Sequence, residues 1–199
     1  MMQILEKIDM NLLKFIHDYS QNALFDRVMP VITFLGDKGL IWIVISLALI
    51  VSKKYRKVGI MTLGALVLST IIGEGILKHL IRRPRPFLEV PSIHLLIAKP
   101  LSYSFPSGHT AAAFAAAGIL ATMLKKYRAY AIALALLIAF SRMYLFVHYP
   151  TDIIGGIIIG LICSKIVLYF FELVSERLNS KQKGKGGVGF KVHRTGDGS

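Results

Sequence analysis

The 199-residue chain is 54% hydrophobic and only 18% charged, with a mean hydropathy of +0.60, whereas soluble domains carry about a quarter charged residues. That balance excludes an ordinary soluble fold and, over most of the length, intrinsic disorder. Lys and Arg number 24 against 11 Asp and Glu, a formal charge of +13, and the excess lies in short clusters between apolar stretches. Such clusters suit turns that meet anionic lipid headgroups better than a basic face for nucleic acid. The single cysteine, Cys163, leaves no disulfide framework and no Cys-based metal site; it reads as a small packing or lipid-facing residue.

In chain order, Met1 to Tyr19 place Ile4, Ile8, Leu12, Phe15 and Tyr19 close to helical spacing, with Glu6, Lys7, Asp9, Lys14 and Asp18 between them. This predicts an amphipathic interfacial helix, neither a span nor a cleaved signal peptide. Leu24 to Leu35 repeats the pattern around Pro30 and reads as interfacial or partly inserted. Five apolar stretches follow: Gly39 to Ser52, Val58 to Leu80, Thr110 to Leu124, Ala129 to Phe146 and Ile153 to Phe171. Each is a candidate span, the shorter ones relying on snorkelling Lys and Arg to reach about 20 residues. The predicted fold is all-α, a polytopic membrane helix bundle with five to six transmembrane helices and an N-terminal amphipathic helix. Residues 1–36 form the amphipathic segment, 37–179 the transmembrane core, and 180–199, rich in Gly and Lys, a disordered basic cytoplasmic tail.

The basic turns Lys53-Lys54-Tyr55-Arg56-Lys57 and Lys125-Lys126-Tyr127-Arg128 and the basic tail fall on one side of five alternating spans. The positive-inside tendency makes that side cytoplasmic, so a multi-pass cell-membrane protein is predicted with its Ile81 to Ser107 loop and Val147 to Thr151 turn extracytoplasmic. That second face also carries Lys and Arg against the topology bias, and anion binding supplies a reason. Gly156-x-x-x-Gly160 and the run Ala111 to Ala117 supply small faces for close helix packing.

Three polar clusters interrupt the apolar chain: Lys78-His79-Leu80-Ile81-Arg82-Arg83-Pro84-Arg85-Pro86, Pro106-Ser107-Gly108-His109, and Ser141-Arg142 with His148 and Asp152. Ionisable groups at membrane depth are costly and mark a site. Pro84 and Pro86 stop the helix after Lys78 and hold Arg85 extended with its fork free. Arg offers planar bidentate donors and Lys a point charge, the two usual ways of holding a phosphate. Ser107 caps a helix whose unpaired N–H groups face an anion that Gly108 lets approach, with His109 beside it. Pro150 opens the last helix, and the four-residue step from His148 to Asp152 lets the carboxylate fix the imidazole tautomer. Two histidines and three cations around one anion point to phosphoryl transfer with a histidine nucleophile and a histidine acid, a chemistry in which a basic shell needs no metal.

These residues resemble a known family. KHLIRRPRP at 78–86, PSGH at 106–109 and SRMYLFVHYPTD at 141–152 look like the three-part signature of the type 2 phosphatidic acid phosphatase family, K-x6-R-P, P-S-G-H and S-R-x5-H-x3-D, without a departure. The resemblance implies that His148 attacks phosphorus to form a phosphohistidine, that Asp152 orients it, and that His109 protonates the leaving oxygen and then activates water. It also implies that Lys78, Arg85 and Arg142 hold the phosphate oxygens, that Ser107 and Gly108 add hydrogen bonds, and that no metal or other cofactor takes part. Among the family's activities, a small multi-span chain is most similar to the lipid phosphatases. Undecaprenyl diphosphate is then the first expected substrate, with phosphatidylglycerol phosphate and phosphatidate as alternatives, and membrane lipids are the expected partners.

Two readings from other classes compete. His109, His148 and Asp152 could serve as a two-histidine, one-carboxylate metal set, and the cations could line the path of an anion or lipid carrier, although no paired repeat is visible. Glu74, four residues before Lys78, is expected to orient it. His79, Arg82 and Arg83 fall outside the signature and are expected at headgroups or substrate, while His94, Tyr103 and Phe105 lie on the loop where substrate selection could reside.

Overall fold

The computed structural model describes residues 2–185, and every regular element among them is helical. Helix α1 spans Met2–Ser20, α2 Ala23–Leu35, α3 Leu40–Val51, α4 Arg56–Thr70, α5 Lys78–Ile81, α6 Gly108–Met123, α7 Arg128–Tyr144 and α8 Pro150–Lys185. A π-helical stretch, Ile71–Leu77, joins α4 to α5. Asn22 caps α2 by accepting from the Leu24 and Phe25 amides, and Ser107 caps α6. The final helix runs on through Lys185; the rest of the expected tail lies outside the described residues.

All five apolar stretches are helical, but the expectation of five to six transmembrane helices is overturned. Among the described residues only Arg56–Leu88 and Pro150–Leu178 are long and apolar enough to cross a membrane, and the count reaches three only if Ala23–Leu35 and Asp37–Val51, bent by 48°, act as one broken span. The shortfall is one of length. Helices α3, α6 and α7 have 12, 16 and 17 residues, which at 1.5 Å per residue gives about 18, 24 and 26 Å against a hydrocarbon core of about 30 Å. Helix α6 is apolar because it is the centre of the bundle: Ala113, Ala115, Ala116, Ala117 and Ile119 are fully buried, and α6 packs on α4, α7 and α8.

Glycines set the closest of these approaches. On α8, a Cβ added at Gly160 would stand 2.5 Å from the Ala111 carbonyl oxygen, and one at Gly156 would stand 2.8 Å from the Ser107 carbonyl oxygen. Small residues thus let the backbones of α6 and α8 nearly touch, as their spacing predicted. Trp42, Met61, Ala65, Ile138 and Cys163 complete the main core, which makes Cys163 a packing residue. A second apolar cluster, including Leu13, Met29, Phe87, Tyr144 and Phe146, lies at the end of the bundle where α7 turns into α8. It forms the floor beneath that turn.

Candidate active site

Each signature residue is placed by a helix end. The π stretch gives the helix a wider turn just before Lys78, a feature frequent at functional sites. Lys78, 4% exposed, extends its Nζ to Glu74 Oε1 at 2.6 Å and to Ser102 Oγ at 3.1 Å, so the expected Glu74–Lys78 pair is present. Arg82 enters the left-handed region at φ 49° and ends α5. Arg85 follows in extended conformation between the two prolines, but its fork is engaged. Nε donates to the Ser102 carbonyl at 2.7 Å, Nη1 to the Val147 carbonyl at 2.8 Å, and Nη2 to Ser102 Oγ at 3.1 Å.

Ser107 accepts from the Thr110 amide and from Thr110 Oγ1. It is fully buried and backs the cavity rather than lining it. A Cβ at Gly108 would fall 2.0 Å from Glu74 Oε1, so a larger residue there would push the Glu74 carboxylate out of its place. Arg142, in the last turn of α7, donates to Thr33 Oγ1 of α2, while its buried Nε finds no acceptor. The connection to α8 then folds sharply. Phe146, buried and bulky, has φ 56°, a strained conformation that its apolar bed tolerates, and His148 follows two residues later.

A cavity of about 850 Å³ is lined by Lys78, Arg85, Gly108, His109, Arg142 and His148, with Asp37 and Glu74 also in its wall. Among the described residues neither Arg85 nor Arg142 has a carboxylate within salt-bridge distance, and Lys78 has only the part-exposed Glu74. Buried charges without counter-charges are costly. A multiply charged oxyanion would balance these three cations and satisfy the free Arg142 donor.

The tautomer of His148 follows from its neighbours. Arg85 Nη1, which can only donate, lies 3.2 Å from Nε2, so Nε2 carries the lone pair and the proton sits on Nδ1, 3.4 Å from Asp152 Oδ2. Burial first, then the charges of Arg85, Arg142 and Lys78, holds His148 well below the ordinary imidazole value of 6.5. A neutral imidazole with its Nε2 lone pair directed into a cationic cavity is equipped to attack phosphorus. On the other wall His109 Nε2 lies 3.4 Å from Asp37 Oδ1. No group of three His, Cys, Asp or Glu residues is placed to hold a metal ion among the described residues, which gives the competing metal-set reading no geometric support.

Several residues that sequence reasoning passed over take part. Ser102 bonds both Lys78 and Arg85, and Ser104 Oγ donates to Asp152 Oδ2 at 2.5 Å. Arg83 turns inward instead of towards headgroups, bonding Asp152 and Asp9. Thr33, in the segment read as interfacial, and Asp37, at the start of the predicted core, were unmarked because a single short polar residue carries no signal of its own. Of the loop residues named from sequence, Phe105 packs against Gly155, while His94 and Tyr103 are exposed.

The sequence model of the PAP2 superfamily matches residues 59–175, a stretch that contains all three signature segments. The chain belongs to the PAP2 superfamily. It is 33% identical over 144 residues to the undecaprenyl-diphosphatase of Sulfolobus acidocaldarius, covering 72% of this chain and 69% of that protein. Among solved structures it resembles Aquifex aeolicus LpxE, with a TM-score of 0.71 and 31% identity over 80% of this chain and 93% of the other. It also resembles the PAP2-type phosphatidylglycerolphosphate phosphatase of Bacillus subtilis, with a TM-score of 0.69 and 28% identity over 86% and 88%. As a PAP2 member the chain is a membrane lipid phosphatase, an enzyme of phosphoric-ester hydrolysis.

Proposed function

We propose that this enzyme removes the terminal phosphate of a polyprenyl diphosphate, undecaprenyl diphosphate first among them, through a phosphohistidine on His148. The observation that carries the reading is the cavity itself. Three buried cations, of which only Lys78 has a carboxylate within salt-bridge distance among the described residues, surround the Nε2 lone pair of a neutral histidine. The choice of lipid rests on the likeness to an undecaprenyl-diphosphatase.

In the first step the entering phosphate takes the N–H that Arg85 now gives to His148, and Lys78, Arg85 and Arg142 hold its oxygens. Gly108 adds the N–H groups of the α6 terminus, with Ser107 shaping that end as its cap. Nε2 forms a bond to phosphorus as the bond to the bridging oxygen breaks. His109, which burial and then the charge of Arg142 hold neutral before the phosphate enters, takes up a proton from solvent once the phosphate's negative charge stands beside it and gives that proton to the bridging oxygen, releasing the lipid monophosphate. The Nδ1 proton stays directed at Asp152, which stabilises the charged ring. In the second step His109 takes a proton from water, the water oxygen attacks phosphorus, the P–N bond breaks and orthophosphate leaves.

The site end of the bundle faces away from the cytoplasm in this proposal. The basic turns Lys53 to Lys57 and Lys125 to Arg128 close the opposite end, because α4 and α7 each run from one of those turns towards the site, and positive charge favours the inner face. The test is phosphate release in detergent with excess chelator from a polyprenyl diphosphate, phosphatidylglycerol phosphate, phosphatidate and a soluble sugar phosphate. Release that survives chelation, is fastest with the diphosphate and disappears in His148→Ala is the expected result. Release indifferent to His148 would overturn the mechanism, and a preference for phosphatidylglycerol phosphate would overturn the substrate.

A further inference from the structure

Asp152 is completely buried, and such a carboxylate retains its charge only when paired and fully hydrogen-bonded. Oδ2, the oxygen nearest His148, accepts from Ser104 Oγ at 2.5 Å and from the Tyr149 amide at 2.9 Å. Among the described residues its one pairing with a permanently charged group is on the other oxygen, where Arg83 Nη1 donates to Oδ1 at 2.8 Å. Arg83 lies outside the phosphatase signature. Its guanidinium stacks 3.9 Å from the centre of the Tyr149 ring, and Nη1 also donates to Thr151 Oγ1 at 2.7 Å.

The other end of the fork reaches the N-terminal helix. Arg83 Nη2 pairs with Asp9 Oδ2 at 2.6 Å, and the Asp9 side chain is 2% exposed. Asp9 in turn accepts from the Thr151 amide at 3.0 Å and from the Thr151 hydroxyl, so it caps the first turn of α8 from a distant helix. The inward face of α1 is fixed further by Leu13, fully buried, and by His17 Nδ1 at 3.1 Å from the Tyr144 carbonyl oxygen. Neither Arg83 nor Asp9 lines the cavity, so neither meets the phosphate.

We propose that Asp9 and Arg83 are positioning residues for phosphoryl transfer: a carboxylate–guanidinium–carboxylate bridge through which α1 holds Asp152, and through it His148, in its reactive orientation. The inference rests on the proposed role of His148 as nucleophile. Planar bidentate geometry is what the bridge requires, since one fork must reach two carboxylates at once, and lysine cannot reproduce it.

The experiment measures kcat, KM, pH profile and thermal unfolding for Arg83→Gln, Arg83→Lys, Asp9→Asn and the Arg83→Gln/Asp9→Asn double variant in detergent, with His148→Ala alongside. Arg83→Gln should lower kcat about 10²-fold, the scale of a 1 Å misplacement of reacting groups, with KM within about threefold because the cavity wall is untouched. The acid limb of its kcat profile should move to higher pH, because a carboxylate deprived of its cation protonates more readily. Asp9→Asn, which keeps size and some hydrogen bonding, should cost roughly tenfold. Arg83→Lys should recover part of the loss, and the double variant should be no worse than Arg83→Gln, because Asp9 acts through Arg83. An unmoved pH profile, a change confined to KM, or additive losses in the double variant would overturn the proposal, and Asp9→Asn alone decides it if Arg83→Gln does not fold. If His148→Ala stays active, the nucleophile assignment has failed; if it is inactive while the Asp9 and Arg83 variants match wild type, only the bridge has failed.

Discussion

Gly156→Ala tests whether the approach of α8 to α6 sets the geometry of catalysis. The added Cβ would meet the Ser107 carbonyl oxygen at 2.8 Å, Thr110 Cβ at 2.9 Å and the Ala111 nitrogen at 3.2 Å. Two of these atoms are backbone and cannot swing aside. Ordinary contact begins at 3.4 Å, so α8 must withdraw by about 0.6 Å. Overpacking of this kind costs about 1–3 kcal/mol, a fall in Tm of about 2–4 °C per kcal/mol for a chain of this size. The same displacement acts on the site, because α8 carries Asp152 one turn before Gly156 and α6 opens with Gly108 and His109. Since a 1 Å misplacement costs about 10²-fold, a tenfold loss in kcat is expected, roughly. The assay is phosphate release together with thermal unfolding in detergent. Gly64→Ala in α4 is the control: its nearest neighbour would be Val167 Cγ1 at 3.9 Å, so it should keep full turnover and gain about 0.5–1 kcal/mol from removal of a mid-helix glycine. Wild-type Tm and kcat in Gly156→Ala would refute the reasoning, and so would equal losses in both variants.

Glu74→Gln should reduce turnover several-fold, because the buried Lys78 ammonium loses the carboxylate paired with it, 2.6 Å away; unchanged steady-state kinetics would show that Lys78 needs no orienting partner. The ring of His148 should titrate below 6.5 in the substrate-free protein, so that the neutral, attacking form persists as pH falls and only stronger acid switches it off. NMR titration of the histidines, with the His148 signal assigned by its loss in His148→Ala, checks this, and a midpoint at or above 6.5 would contradict the effect of the cationic cavity. Asp37→Asn should lower kcat by no more than a few-fold, since the Asp37 side chain is 60% exposed and its contact with His109 is 3.4 Å long. A loss near that of His148→Ala would assign Asp37 a far larger part.

The placement of the candidate cluster was legible because its residues are set by local rules. Pro84 and Pro86 hold Arg85 extended, Ser107 caps α6, Pro150 opens α8, and a four-residue step puts Asp152 beside His148. The number of spans was not legible, since hydropathy reads a helix buried in protein and one facing lipid alike. Helix α6, with Ala113 and Ala115 to Ala117 buried among other helices, has the composition of a span without the length. The expectation that the Arg85 fork is free failed for a related reason: its acceptors, Ser102 and the Val147 carbonyl, are brought in by tertiary folding. Arg83 was expected at headgroups or substrate and not at Asp9 and Asp152, because those two carboxylates stand 74 and 69 positions away in sequence and no local pattern connects them.

The segment matching the PAP2 superfamily, residues 59–175, contains every signature side chain but not Asp9, Thr33 or Asp37, which touch Arg83, Arg142 and His109 respectively. Reactive groups and the groups that tune them are therefore written in different stretches of the chain. A fragment cut to the matching segment would open Arg83 and Arg142 to water and remove Asp9 and Thr33, which hold them. Exchanging the first forty residues or so between relatives offers the converse: a way to retune rate and pH response while every signature residue stays in place.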